Sequence, residues 1–321
     1  MGGTLGPQGA MAGNQNNLVI SGGSYGVSAG ETWTNTSVTS GFLNVSSGGT
    51  TSQTSLFMNG IEGVYGGSAT STTVNNGGTQ AVVGGTALQT TVNSGGSQNV
   101  NGTGSLATSA TIKAGGAQSV VSNGALANQT TVFGTQYVAS SGSAVSTTVS
   151  SGGSQQVYGG GSASQTFLQN GAKQFVSSGG KVFSTTVSAG AVQNTDIAGS
   201  AQATILNSGA LQNISSGGSA SMTTVLSGGN QKVWGVTTSD TISSGGIQEV
   251  NSGGLSVSAS VAGTQYVNST ASASQATVVS GGGNLCWQAA LPQALFFSPE
   301  VVFRLRQAAL PLALRSRQAE D

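Results

Sequence analysis

The sequence predicts an all-β fold, a right-handed parallel β-helix (solenoid) of about 13–14 coils of about 19 residues. Three observations carry that prediction. The phrase Ser-Gly-Gly-x-Gln-x-Val recurs, as in Ser94 to Val100 and Ser151 to Val157, and Ala-x-x-Thr-x-Val follows it about ten residues later. With Gln as the register mark, Gln80, Gln98, Gln118, Gln136, Gln155, Gln174, Gln193, Gln212, Gln231, Gln248 and Gln265 take ten steps over 185 residues, a mean of 18.5. Two columns of branched apolar residues keep the same period, and Gly-Gly pairs separate them.

Each part of the unit has a physical reason. One apolar column runs through Val82, Val100, Val120, Val138, Val157, Val176, Ile214, Val233, Val250 and Val267, with Thr195 as its exception; a second runs through Val74, Val92, Ile112, Val132, Val149, Leu168, Val187, Leu206, Val225, Ile242, Val261 and Val278. Such residues flanked by small polar ones are the pattern of half-buried strands. Five residues before the second column stands a third, of alanines such as Ala69, Ala87, Ala107, Ala127 and Ala144, suited to a corner or a narrow wall. Pairs such as Gly95-Gly96 and Gly217-Gly218 supply the positive φ angles of tight corners. No stretch repeats its apolar residues every 3.6 positions over three turns, so helices are not expected before the tail.

Stacking in parallel at roughly 4.8 Å per rung makes a rod of roughly 60–70 Å. The Gln column lies two residues before an inward Val, so a regular strand turns the amides inward as a ladder from rung to rung. A corner position facing water is the alternative. Tyr25, Asn44 and Glu62 are expected to continue this column upstream. At Val132 to Gln136 and Val261 to Gln265 the corner is two residues shorter, which reads as a tighter corner rather than a break.

The organisation expected is an irregular N-terminal segment or cap at 1–19, a repeat array at 20–282 and an out-of-register tail at 283–321. All four arginines (Arg304, Arg306, Arg315, Arg317) and three of the four prolines lie in that tail, while every lysine lies in the repeats. This abrupt switch reads as a foreign or out-of-frame end, with a native cap on the last rung as the alternative. Glu300, Arg304, Arg306, Pro299 and Pro311 interrupt its apolar run, which argues against a membrane span.

Composition excludes several classes of function. Eight basic and eight acidic side chains leave no field to hold nucleic acid or an anionic membrane. One cysteine, Cys286, builds neither a disulfide framework nor a thiolate cluster. Histidine is absent, which removes imidazole bases and ligands. Asp196, Asp240 and Glu249, the only acids between Glu62 and Glu300, sit at different repeat phases and read as solvated surface groups rather than a hydrolase pair. Neither the Gly-Gly-x-Gly-x-Asp calcium pattern nor a Lys-Ser/Thr after Gly159-Gly160-Gly161 occurs. The expectation is therefore a protein that is not an enzyme, with no catalytic, cofactor-binding or metal-ligating residue and no cofactor.

The array from about residue 20 to residue 282 resembles the stalk repeats of AIDA-type autotransporter adhesins, the bacterial surface proteins of type V secretion. Ser-Gly-Gly-x-Gln-x-Val and Gly-Gly-x-Ala-x-x-Thr-x-Val, as in Gly84 to Val92, carry the resemblance. It implies a passenger segment displayed as a virulence-associated β-helix that mediates attachment or self-association. The partners implied are host-cell or bacterial surface molecules, further copies of the chain, and a heptosyltransferase if repeat Ser or Thr residues are glycosylated. The parent protein is expected at the bacterial cell surface or outer membrane, or secreted, with a translocator β-barrel. Met1 to Asn17 lacks the pattern of a signal peptide, and no barrel strands follow the repeats, so the chain reads as a fragment that would remain in the cytoplasm if expressed alone. A non-adhesive spacer and a small-ligand or ice-binding solenoid are the alternatives. Thr73, Thr91, Thr111, Thr131 and Thr148 form an outward hydroxyl column, but its neighbour (Asn75, Asn93, Lys113, Phe133, Ser150) completes no flat double array.

Overall fold

The computed structural model describes residues 4–5, 13–122, 124–279, 281–286 and 296–297. Within them the chain is a parallel β-solenoid of about 14 turns spaced about 19 residues apart, with no helix. A representative coil has three strands. The glutamine strand is Ser97–Asn101, the alanine strand Leu106–Thr108, and the threonine–valine strand Thr111–Ile112. Each pairs in parallel with its counterpart one repeat away, so that Gln98 lies between Gln80 and Gln118, Ala107 between Ala87 and Ala127, and Ile112 between Val92 and Val132. The alanine strands form a fifteen-stranded sheet, and the other two kinds form one of thirty. Those two walls are joined where Val19–Val27 and Ser37–Ser46 each run through both as one long strand.

Alternation inside each strand sends the Val columns and the Ala column inward. Val100, Val120, Ile112 and Ala107 are completely buried, and the same holds along both apolar columns. The alanines occupy a strand of their own rather than a corner. Their small side chains face the glutamine column across a thin core, as residues replacing them show: Thr51 and Ser256, both in the alanine register, hydrogen-bond Glu62 and Gln248. At the N-terminal end large side chains fill the same columns, with Trp33 in the alanine register and Tyr25 and Leu43 in the glutamine register.

That register corrects one upstream expectation. Leu43, not Asn44, stands between Tyr25 and Glu62; Asn44 pairs with Gly26 and Gly63 and faces outward. Irregular pairing at Ser21 against Ser40 is compensated by Ser24 against Phe42, so Tyr25 meets Leu43 in the same phase as Ile20 meets Val38. The short corners behave as expected: Phe133 and Gly134 both donate to the Ile112 carbonyl (2.7 and 3.1 Å), and Thr135–Ala139 pairs on without a break. Strand pairing also reaches into both flanking segments, at Gln15–Asn16 and Gly283–Cys286. The changed composition of the tail lies almost entirely outside the described residues.

Two features of the coil reside in its corners. The two glycines of a pair do different jobs. Gly152 has φ 79° with open space around its Cα, whereas a Cβ on Gly153 would lie 2.2 Å from the carbonyl oxygen of Val132 in the preceding coil. The second feature is a non-glycine residue in the left-handed region between the alanine and threonine–valine strands of nearly every coil, for example Gln89 (φ 55°), Ser109 (56°) and Gln129 (54°). Left-handed backbone costs about 1–2 kcal/mol for such residues. Here it turns the amide of Gln89 toward Thr108 of the next coil (2.9 Å), while Thr91 donates back to Thr72 (2.8 Å). The bend thus keeps the rung-to-rung hydrogen bonding that it would otherwise interrupt.

Two outcomes are expected in thermal unfolding. Gly153→Ala should lower the melting temperature more than Gly152→Ala, because a backbone overlap displaces a neighbouring coil whereas an unfavourable φ costs only about 1–2 kcal/mol. Thr195, the exception in the Val column, is completely buried with an unpartnered Oγ1. Thr195→Val should therefore stabilise the chain by about 1–3 kcal/mol; an unchanged or lower melting temperature would contradict this account.

Candidate functional site

The polar groups divide into an interior line and an outer surface. Inside, every Nε2 from Gln98 to Gln265 donates to the Oε1 of the preceding glutamine, from Gln98 to Gln80 at 2.8 Å through Gln265 to Gln248 at 2.5 Å. The amide ladder is internal, not a corner feature in water. It is also directional, since all the donors point toward the N-terminus. Gln80 ends it on Glu62 Oε2 at 2.9 Å. A carboxylate suits that end because it only accepts, whereas an amide there would aim an N–H at Leu43. Thr51 and Thr72 also donate to Glu62, at 2.7 and 2.8 Å.

The Thr of Ala-x-x-Thr-x-Val is the partner that sequence reasoning missed. It points inward, two residues before the inward Val, and donates to the glutamine Oε1 of its own coil: Thr90 to Gln80 (2.9 Å), Thr166 to Gln155 (3.2 Å), Thr204 to Gln193 (3.1 Å). Its period-two relation to Val92 is the signal that could have found it; the adjacent Thr91, by the same alternation, faces outward.

Among the acids, Asp196 and Glu249 are half-buried surface groups, bonded by Ser215 (2.7 Å) and by Asn230 (3.0 Å), with Lys232 at 3.8 Å from Glu249. Asp240 is different. It is fully buried, which corrects the expectation of a solvated side chain. It stands one residue before Thr241 in the inward threonine column, so alternation carries it into the core. Burial pushes its carboxyl up to about 6, against the opposing pull of the bond from the Thr223 backbone N–H (2.9 Å). The acids do not converge, and among the described residues no three His, Cys, Asp or Glu gather to hold a metal.

What remains for recognition is the outside. The outward hydroxyl column is a stacked line from Thr73 through Thr91, Thr111, Thr131 and Thr148, interrupted by exposed Phe167 and Ile205. Beside it Asn93 donates to Asn75 (2.8 Å), and Lys113 lies over the Phe133 ring (5.5 Å). Further surface amide pairs, Asn213 with Asn194 and Asn268 with Asn251, bridge coils at 2.9 Å. Among the described residues no helix is long and apolar enough to cross a membrane.

A long solenoid with a repeating core and a hydroxyl- and amide-rich exterior defines a β-solenoid repeat protein. The family model described as "adhesin of bacterial autotransporter system, probable stalk" matches residues 134–191. The crystal structure of a TibC-catalysed, hyper-glycosylated TibA fragment is similar over 91% of this chain and 100% of that one, at 36% identity and a TM-score of 0.61. No curated protein matches. The chain belongs to the AIDA-type autotransporter adhesins, as passenger sequence.

The ladder predicts a sharp contrast between neighbours. Gln155→Leu removes the acceptor of Gln174 and Thr166 and the donor to Gln136, so it should destabilise by at least about 3 kcal/mol. Gln156→Leu, one residue on and facing outward, should stay within about 0.5 kcal/mol. Equal denaturant midpoints for the two variants would refute the ladder's energetic role.

Proposed function

We propose that this segment mediates bacterial attachment or self-association through weak contacts repeated along its polar outer face. The observation that carries the reading is the stacking of outward hydroxyls and amides in lines one coil apart, with exposed apolar residues dispersed among them. Such a surface favours many shallow contacts over one pocket, and multivalency makes their sum useful. The partners proposed are host-cell or bacterial surface molecules and other copies of the chain, with a structural rather than catalytic role.

The family implies a cell-surface or outer-membrane location for the parent protein. The TibA fragment carries TibC-catalysed glycosylation, and outward Ser and Thr residues offer hydroxyls for a comparable heptosyltransferase here. We further propose a tail boundary at 283 and a foreign or out-of-frame origin for residues 283–321; intact frames across codon 283 in related loci would overturn that origin.

Deleting whole coils tests distributed adhesion. The repeats, fused to a complete signal peptide and barrel, should lose aggregation and attachment gradually as Gln155 to Lys173 and then Gln174 to Val192 are removed, since each deletion takes out one unit in phase. Complete loss on deleting one unit, with display and folding intact, would point to a discrete receptor site. Attachment unchanged at any length would favour a spacer.

A further inference from the structure

Asp240 occupies a place that other coils give to a hydroxyl donor. In the coils before it Thr166, Thr185, Thr204 and Thr223 each donate to the glutamine Oε1 of their own coil, at 3.1–3.3 Å. The corresponding acceptor for Asp240 is Gln231. Instead of a hydroxyl, Gln231 faces a carboxyl group, and one nitrogen serves both: Gln248 Nε2 lies 2.6 Å from Gln231 Oε1 and 3.0 Å from Asp240 Oδ2. The other carboxyl oxygen accepts the Thr223 backbone N–H at 2.9 Å.

We propose that Asp240 is a pH-sensitive joint in the rod: as a neutral acid it donates to Gln231 Oε1 in the manner of the missing threonine, and as a carboxylate it leaves that oxygen with the Gln248 N–H alone and puts a charge in the core with no countercharge beside it. The proton is taken from solvent and returned to it, and nothing else is transferred. The surrounding coil is built for a polar guest. Where the alanine column would pass, Thr237 and Ser256 replace alanine, and Ser256 donates to Gln248, whose amide nitrogen bonds the carboxyl. No charged group faces Asp240 from the strands packed around it. On Asn230–Val233 and Ile247–Val250 the charged residues are Lys232 and Glu249, which point outward and pair with each other; Val236–Thr238, Leu255–Val257, Thr224–Val225 and Ser260–Val261 carry none. The joint therefore responds to burial and hydrogen bonding, not to a neighbouring charge.

The sign follows from the raised folded-state value. Below about 4 both folded and unfolded chains hold the proton; as pH rises from there, the unfolded chain releases it first, and the contribution is lost by the time pH passes about 6. A rise from 3.8 to about 6 corresponds to about a hundredfold fall in the folding equilibrium constant across that window. The coils around Asp240 should be tightest in mild acid and should open more readily near neutral pH.

The chain has only three aspartates, Asp196, Asp240 and Asp321, so carbon-13 labelling of aspartate carboxyls isolates the group. In the full wild-type chain, with the signal assigned by its disappearance in Asp240→Asn, the Asp240 carboxyl should titrate near pH 6. Titration at or below the ordinary aspartate range would overturn the proposal. As a second measurement, Asp240→Thr restores the hydroxyl and should abolish the wild-type loss of stability between about pH 4 and pH 7. An equal loss in both proteins would refute the joint. Should Asp240→Thr fail to fold, the wild-type titration decides alone.

Discussion

A glutamine side chain in a thin apolar core must find both a donor and an acceptor there, and in this protein the glutamines one coil above and below supply them along the ladder. That requirement governs the rest of the structure. A buried amide left half-bonded costs about 1–3 kcal/mol per group, so a coil whose register slipped by one residue would lose bonds to both neighbours and turn a row of polar groups against the Val columns. The ladder from Gln80 to Gln265 thus acts as a register key, holding coils of 17 to 20 residues to one phase while their corners vary. The inward threonines complete it by supplying a second donor to most Oε1 atoms.

Much of this was legible in the chain. The period, the two Val columns and the inward Gln come from spacing, because a strand puts i and i+2 on one face. The class of protein was legible from the repeated phrases themselves. The features that were not legible depend on three-dimensional neighbours. That Gly153 is glycine for lack of space and Gly152 for its φ cannot be read from two identical letters, since the difference lies in the Val132 carbonyl of another coil. Left-handed Gln89 and Ser109 were hidden because positive φ ordinarily selects glycine, and a hydrogen bond to the next coil compensates there. Asn44 was misplaced because the spacing between counterparts changes by one residue from one coil to the next, Tyr25 pairing with Leu43 and Leu43 with Glu62.

The burial of Asp240 escaped the sequence for a different reason. Acidic residues in a polar chain are ordinarily solvated, and its distance from the glutamine mark makes it look unphased. Measured from the following Val column instead, it falls on the inward threonine position. The core marks its own exceptions in the same way at Glu62, where Thr51 replaces alanine and donates to the carboxylate.

Because each coil completes its core through its neighbours, the chemistry of the outer columns can vary. Gln156, Phe175 and Asn194 occupy one outward column in successive coils, over Val157, Val176 and Thr195 in the adjoining inward column. Side chains of such different chemistry can share a column because the register is held inside, by the glutamine ladder. This separation explains how a stalk keeps one architecture while its surface changes from coil to coil. It also confines pH sensitivity and breakage to the few coils whose interior departs from the rule, and leaves attachment to groups whose replacement does not threaten the rod.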